Sequence, residues 1–332
     1  MKRYDIIGDV HGCASKLKDL LVRLGYDTDA AGVYRHPRRT AVFVGDLVDR
    51  GEEQLEVLTI VKAMVDAGSA HIVMGNHEFN AIAWATEHPE TGKPLRAHND
   101  NNRAQHEAFL TRLTEAEQEY YLEWFTTLPL WLDLGEIRVV HACWHTGSMR
   151  AVMDATGGAD RLSTVEHFVE ANTKGTELYE AVEVLLKGPE INLIEHDMCA
   201  YWDHEASKER KNARIRWWDH DASTLPELAE LRSARLKNRD PYPAYAPRPV
   251  QDRYLSYVYT DRIPLFYGHY WRAWSPTQKD DWTTYTACVD FSAVNGGTLV
   301  AYRWDGAPEI QWENYFPHDP EVVAPTPADQ TV

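Results

Sequence analysis

Cysteine is scarce in this chain. Four residues of 332, Cys13, Cys143, Cys199 and Cys288, stand far apart with no CxxC pair and no zinc-finger spacing. That distribution argues against a disulfide-stapled scaffold or a zinc knuckle and predicts reduced thiols in an intracellular protein. Long apolar runs are also missing. No stretch approaches the roughly 20 apolar residues of a membrane span. The N-terminal MKRYDIIGDVHG enters a short strand and a turn in place of the apolar run of a signal peptide. The expected compartment is the cytoplasm, with no membrane partner. Cations are in deficit, with 34 Lys and Arg against 51 Asp and Glu, a net charge of −17. Such a surface repels long polyanions and argues against extended nucleic acid as a partner. A small phosphorylated ligand remains open, because bound cations reverse the local charge. No internal repeat is present.

What is present is an apolar content of 44 %, enough for one large α/β domain carrying an insertion. Strands are predicted at Tyr4 to Ile7, Thr40 to Val44, Ala70 to Met74 and Ile137 to Val140. Between them, Ser15 is expected to cap a helix bearing Leu17, Leu20, Leu21 and Leu24 and ended by Gly25. A second helix carries Leu55, Leu58, Val61 and Val65, and a third lies near Phe79 to Trp84. This strand–helix alternation predicts a layered α/β fold. The pattern changes over residues 146–262. Helices are expected near Gly175 to Lys187, with Gly188 as a cap, and over Leu225 to Leu236. Strands resume at Pro264 to Tyr267, Tyr285 to Val289 and Leu299 to Trp304, the last two joined by an Asn295-Gly296-Gly297 turn. The simplest organisation is a catalytic core of residues 1–145 and 263–316, an insertion of 146–262, and a Pro- and acid-rich disordered tail of 317–332.

Three strand ends carry polar clusters: Gly8-Asp9-Val10-His11-Gly12, Gly45-Asp46-Leu47-Val48-Asp49-Arg50-Gly51 and Gly75-Asn76-His77-Glu78. A fourth ends in His141 and a fifth in Gly268-His269. Functional crevices of α/β sheets lie beyond the carboxyl ends of strands, so these groups are expected at one edge. Mixed imidazole and carboxylate donors suit first-row divalent ions such as Mn, Fe or Zn. Two ions ~3.5–4 Å apart need a bridging carboxylate, which Asp46 can supply. Asp9 and His11 would complete one metal, and Asn76, His141 and His269 the other. Any one of these residues alone reads as an ordinary turn or cap residue; the joint pattern carries the inference.

The GDVHG, GDLVDRG and GNHE blocks resemble the signature of the phosphoprotein-phosphatase branch of the calcineurin-like metallophosphoesterases, which includes Ser/Thr protein phosphatases and bacterial diadenosine tetraphosphatases. VVHACW and FYGHYW resemble its later histidine blocks. The resemblance covers about residues 1–145 and 263–304. It implies a four-layer α/β/β/α sandwich with a long insertion and a pair of divalent metal ions, Mn²⁺ first among the candidates. It implies Asp9, His11 and Asp46 on one metal, and Asp46, Asn76, His141 and His269 on the other. By the same resemblance His77 is the general acid, Asp49 its orienting partner and Arg50 a phosphate-gripping arginine. The implied reaction is hydrolysis of a phosphate monoester by in-line attack of a metal-bridging water. The substrate is a phosphoprotein or a small phosphorylated metabolite, with a dinucleoside polyphosphate or other nucleotide as the alternative. Asn76 would also face the substrate phosphate, and Arg214 or Arg216 would supply a second phosphate-binding arginine; packing of the insertion is the competing role. A non-catalytic scaffold and a nucleic-acid end phosphatase are the remaining readings.

One departure stands out. The family often has His-Ala-Gly or His-Gly-Gly where this chain has His141-Ala142-Cys143, and Cys13 follows the first metal loop. The two thiols are either oxidation-sensitive neighbours of the site or small buried hydrophobes. The oligomeric state is left open.

Overall fold

Buried residues run continuously along most of the central strands, and successive strand side chains point to opposite faces, so these strands have two faces to bury. The computed structural model describes residues 2–204, 207–275, 278–294 and 296–321. Its main strands are β1 (Tyr4–Ile7), β2 (Thr40–Phe43), β3 (Ala70–Ile72), β4 (Trp131–Asp133), β5 (Arg138–Val140), β6 (Leu265–Tyr267), β7 (Thr286–Cys288), β8 (Val300–Trp304) and β9 (Tyr315–Pro317). One sheet has the order β9-β8-β1-β2-β3, with β1, β2 and β3 parallel. The other has the order β7-β6-β5-β4, with β5, β6 and β7 parallel. Ile6, Val42, Val139, Phe266 and Ala287 meet in a core between the sheets, where the rings of Phe266 and Tyr302 lie 4.8 Å apart. The alternate residues Ile7, Phe43, Val140, Leu265 and Cys288 join a second cluster with the helices. The result is the expected α/β sandwich of two sheets between helical layers.

The longer helices are α1 (Ala14–Leu24), α2 (Gln54–Asp66), α3 (Asn76–Ala85), α4 (Asp100–Arg112), α5 (Glu115–Phe125), α6 (Thr146–Thr156), α7 (Val165–Asn172) and α8 (Glu177–Lys187). α1 buries the four expected leucines and closes at Gly25 with φ 87°. Its cap position is Cys13, not Ser15. The Ser15 amide and hydroxyl are instead held by Glu53 at 2.9 and 2.5 Å. Strand β4 and helices α4 to α7 were not anticipated. α4 and α5 start at Asn99 and Thr114, whose side chains accept from Asn102 and Glu117 amides.

Three expectations are corrected. The helix over 225–236 is a single turn, Leu225–Leu228. Beyond it Ala229 bridges Ile215, and the Glu230 amide donates to the Arg214 carbonyl at 2.8 Å. Backbone pairing with the preceding segment overrides the helical spacing of its leucines. The stripe of α2 is rotated, with Val57 and Met64 buried and Leu55 37 % exposed. The expected disordered tail starts too early: Pro317 lies in β9, and the His318 amide donates to the Leu299 carbonyl at 2.8 Å. Residues 322–332, and Asn295 of the expected turn, lie outside the described residues.

Candidate metal centre

The loops that follow β1, β2, β3, β5 and β6 converge at the carboxyl ends of parallel strands in both sheets. Their backbones interlock. The Val10 and His11 amides donate to the Asp46 carbonyl at 3.1 and 2.9 Å, and the Gly51 amide donates to the His11 carbonyl at 3.0 Å. His11, Asp46, Asp49, Arg50 and His269 all have positive φ, between 45° and 73°. Such conformations persist in non-glycine residues only where the surroundings fix them, and they cluster at functional sites. Close approach explains two of the glycines. A Cβ on Gly75 would lie 2.2 Å from Asp46 Oδ1, and one on Gly268 would lie 2.0 Å from Asp9 Oδ1.

Asp46 is the hub. Its Oδ2 lies 3.6 Å from His11 Nε2 and 3.9 Å from His77 Nε2, and its Oδ1 lies 3.4 Å from His141 Nε2. Two donor groups share it: His11, Asp46 and His77, and Asp46, His141 and His269, each with ligand atoms within 4.8 Å of one another. His11 Nδ1 donates to the Val48 carbonyl at 2.8 Å and His141 Nδ1 to the Val44 carbonyl at 2.7 Å. Those bonds fix the tautomer and leave each Nε2 lone pair near Asp46. Asn76 Oδ1 sits 3.1 Å from His141 Nε2 and 2.7 Å from His269 Nδ1, so the carboxamide oxygen belongs to the second group. Asp9 belongs to neither group and borders the loop of His269. Its Oδ2 accepts from the His269 amide at 3.1 Å, while its Oδ1 and His11 Nε2 are buried with no hydrogen-bond partner among the described residues. Leaving such atoms unpaired costs roughly 1–3 kcal/mol each. An orphaned carboxylate oxygen and imidazole nitrogen, with further imidazoles and a shared carboxylate alongside, fit a divalent pair. The expected trio of Asp9, His11 and Asp46 is thus not drawn together as such: the first group has His77 as its third donor and does not include Asp9.

Electrostatics divide the site. Burial pushes Asp9 well above the usual carboxylate range, helped by Asp290 and Asp46. Burial and the nearby His77 push His11 down to about 3. His141 is raised to about 10, because Asp46 outweighs its burial. Burial, Arg214 and His141 hold His269 well below the usual range. Asp290 escaped the sequence reading. It is buried, follows β7 at a sixth strand end, and accepts from the Trp271 and Ser292 amides at 2.7 and 3.0 Å. Its position after an apolar strand was the available signal.

At the edge, His77 Nδ1 lies 2.5 Å from Asp49 Oδ2. Burial opposes charge on both groups. It is outweighed at His77 by Asp46 and Asp49, which raise that imidazole, and at Asp49 by hydrogen bonds from His106 and His77, which take it down to about 2. Two unanticipated residues hold these loops. The buried Glu78 carboxylate accepts from the amides of Asp46, Leu47 and Gly75 at 2.8–2.9 Å. Gln54 accepts from the Asp49 amide at 2.9 Å and donates to the Gly51 carbonyl at 2.6 Å. The Arg50 guanidinium stacks 3.4 Å from the centre of the Trp271 ring.

A cleft of about 970 Å³ opens over Asn76, His77, His269 and Arg50. Its walls add Arg96, Lys187, Arg210, Arg214, Arg235 and Arg272, a run of cations on an acidic protein. Arg214 therefore faces the site and Arg216 does not. The Arg216 guanidinium is held by Asp219 and Asp280, both at 3.1 Å, and by the Lys279 carbonyl at 2.6 Å. Trp217 and Trp218 are fully buried and donate to the Tyr270 hydroxyl and the Lys279 carbonyl, so they pack the insertion. Cys143 is fully buried, and burial raises its thiol and that of Cys13.

Among known proteins, the Calcineurin-like phosphoesterase family matches residues 2–194, more than half of the chain. A "Bis(5'-nucleosyl)-tetraphosphatase PrpE [asymmetrical]" of Oceanobacillus iheyensis is 32 % identical over 147 residues, 44 % of this chain and 56 % of that protein. Its namesake in Halalkalibacterium halodurans is 50 % identical over 76 residues, 23 % of this chain and 30 % of that protein. The chain thus spans between 30 % and 56 % of the length of these curated relatives. Among solved structures, a putative diadenosine tetraphosphatase shares 16 % identity at a TM-score of 0.43, covering 95 % of this chain and 93 % of the other. A protein serine/threonine phosphatase from Saccharomyces cerevisiae shares 14 % at 0.49, covering 95 % and 78 %. The chain belongs to the calcineurin-like phosphoesterase family.

Proposed function

We propose that this protein is a metal-dependent phosphoesterase that hydrolyses phosphate monoesters. The observation that carries the reading is the single carboxylate of Asp46 shared by two donor groups, with a buried histidine–aspartate pair at their edge. Asp9, His11 and Asp46 would hold one cation, and Asp46, Asn76, His141 and His269 the other. Manganese leads among the candidates, with iron or zinc also suited to these donors. A bound pair supplies Lewis acidity and lowers the pKa of water. The chain's own groups do the rest. Arg50 and Arg214 bind the phosphoryl oxygens, with Asn76 beside them, and Asp49 orients His77, which donates a proton to the leaving oxygen.

A second reading, hydrolysis of a dinucleoside polyphosphate, is favoured by one specific feature. The cleft carries more cations than one phosphate needs, and a polyphosphate chain would use them. The names of the relatives point the same way. Purified protein, stripped and reloaded with Mn²⁺, is expected to bind about two ions per chain and to hydrolyse an aryl phosphate. Absence of both sinks the reading. Comparing a phosphopeptide, a mononucleotide and diadenosine tetraphosphate separates the substrates.

A further inference from the structure

His106 has no part in the chemistry described so far. It sits buried on α4, its ring stacked on Phe109 with centroids 4.9 Å apart and tilted against Trp84 of α3 at 6.0 Å. Its Nδ1 lies 2.6 Å from Asp49 Oδ1, while His77 Nδ1 lies 2.5 Å from Asp49 Oδ2. An ionised carboxylate only accepts, so both imidazoles donate from Nδ1. One carboxylate is therefore gripped by two rings, one on each oxygen. The Asp49 backbone is fixed separately, with φ 70° and its amide bonded to Gln54 Oε1 at 2.9 Å. The rotation of the carboxylate group is the freedom left, and His106 is positioned to remove it.

We infer that His106 is a positioning residue for proton delivery: acting through Asp49, it holds His77 in the orientation that presents Nε2–H to the leaving oxygen. The inference rests on the reading of His77 as general acid. Without the His106 N–H, Asp49 Oδ1 becomes a buried charged oxygen lacking a partner, and the carboxylate turns toward another donor. The bond to His77 then loses alignment. The cost falls on esters whose leaving oxygen needs a proton and spares those with acidic leaving groups. A side chain that only filled space would affect both classes alike.

Two variants separate these cases. His106→Asn retains an N–H near the Nδ1 position, and His106→Leu removes it while filling the slot between Phe109 and Trp84. In the Mn²⁺-loaded full chain, His106→Leu is expected to slow an alkyl phosphate on the order of tenfold or more and an activated aryl phosphate by less than about threefold. His106→Asn is expected to recover most of the alkyl rate. Equal losses on the two esters, or none, overturn the inference. Should the leucine variant not fold, nitrogen-15 histidine NMR of the zinc-loaded wild type decides. Both His77 and His106 must carry their proton at Nδ1, the His106 signal being assigned by its absence in His106→Asn. A His106 ring protonated at Nε2 alone overturns the inference even in an active enzyme. A wild type inactive on every ester, with both rings protonated at Nδ1, overturns the phosphoesterase reading itself.

Discussion

The loops after β1, β2 and β3 and the insertion of residues 146–262 meet at one cleft, but they hold their charged groups in different ways. In the loops, groups are clamped by buried partners: the Asp46 amide by Glu78, His11 Nδ1 by the Val48 carbonyl, the Asp49 amide by Gln54. In the insertion, cleft-lining cations rest on accessible carboxylates. Arg210 pairs with Asp203 at 2.7 Å, Arg214 with Glu190 at 3.3 Å, and Lys187 with Glu183 one helical turn away. Exposed pairs of that kind contribute little, about 0–1 kcal/mol, so an anionic ligand can displace them cheaply. The difference teaches that the chemical end of the cleft is preorganised and the recognition end is adjustable. Substitutions in the first region should change rate and metal binding, and substitutions in the second should change affinity.

Asp46→Asn tests the first half most severely. Losing the shared charge should reduce turnover on the order of 10³-fold or more, beyond the 10- to 100-fold typical of an outer-shell partner, and should lower the metal content measured after reloading. Glu78→Gln is that outer-shell case. One acceptor for the Asp46, Leu47 and Gly75 amides is lost, and metal affinity should fall roughly 10- to 100-fold with the ligands unchanged. If Glu78→Gln matched Asp46→Asn, the loop and not the ligand would be the critical element.

The arginine pair tests the second half. Arg214→Ala removes a cation from the cleft wall and should raise KM about tenfold, the worth of one charge-assisted bond, with the unfolding midpoint unchanged. Arg216→Ala does the reverse. Its guanidinium is mostly buried among Asp219, Asp280 and a carbonyl; Asp280 keeps Arg232, but the buried Asp219 loses its cation, which should cost about 3 kcal/mol of stability. KM should barely move. A KM effect from Arg216→Ala would break the distinction.

The two regions also differ in how far the sequence reveals them. Asp9, Asp46, Asn76 and His269 were legible because each follows an apolar strand at a glycine-bounded turn, and His141 because it ends a fourth apolar strand. A strand end next to a parallel neighbour has one place to project. Asp290 obeys the same rule and was overlooked because its strand ends without such a block. His106 was not legible. α4 reads DNNRAQHEAFLTR and buries only His106 and Phe109, so it has no apolar stripe to mark it as a helix. In the insertion, the leucines of 225–236 have helical spacing, yet pairing with residues 214–216 draws the chain out. Arg214 and Arg216 lie two residues apart, and only the packed partners of Arg216 show which one is free to meet substrate.

The smallest effect is expected from the thiols, where the two regions touch. Cys143 follows His141 on the core side, and its amide donates to the Leu185 carbonyl of α8 at 3.4 Å. The nucleophile in alkylation or peroxide oxidation is the thiolate. Burial raises the Cys143 thiol well above its ordinary value, and it raises Cys13 despite the opposing charge of Lys16. A raised thiol pKa means that less thiolate exists at any pH below it, so reactivity at pH 8 falls below that of free cysteine and grows only as pH climbs. Native protein treated with iodoacetamide at pH 8 should therefore keep its activity over a period that fully labels it in denaturant. The Cys13→Ser, Cys143→Ser double variant should behave identically. Rapid inactivation that the double variant escapes would give these thiols a regulatory role. Retained activity would leave Cys143 as a small apolar residue seated between β5 and α8, contributing packing and not chemistry.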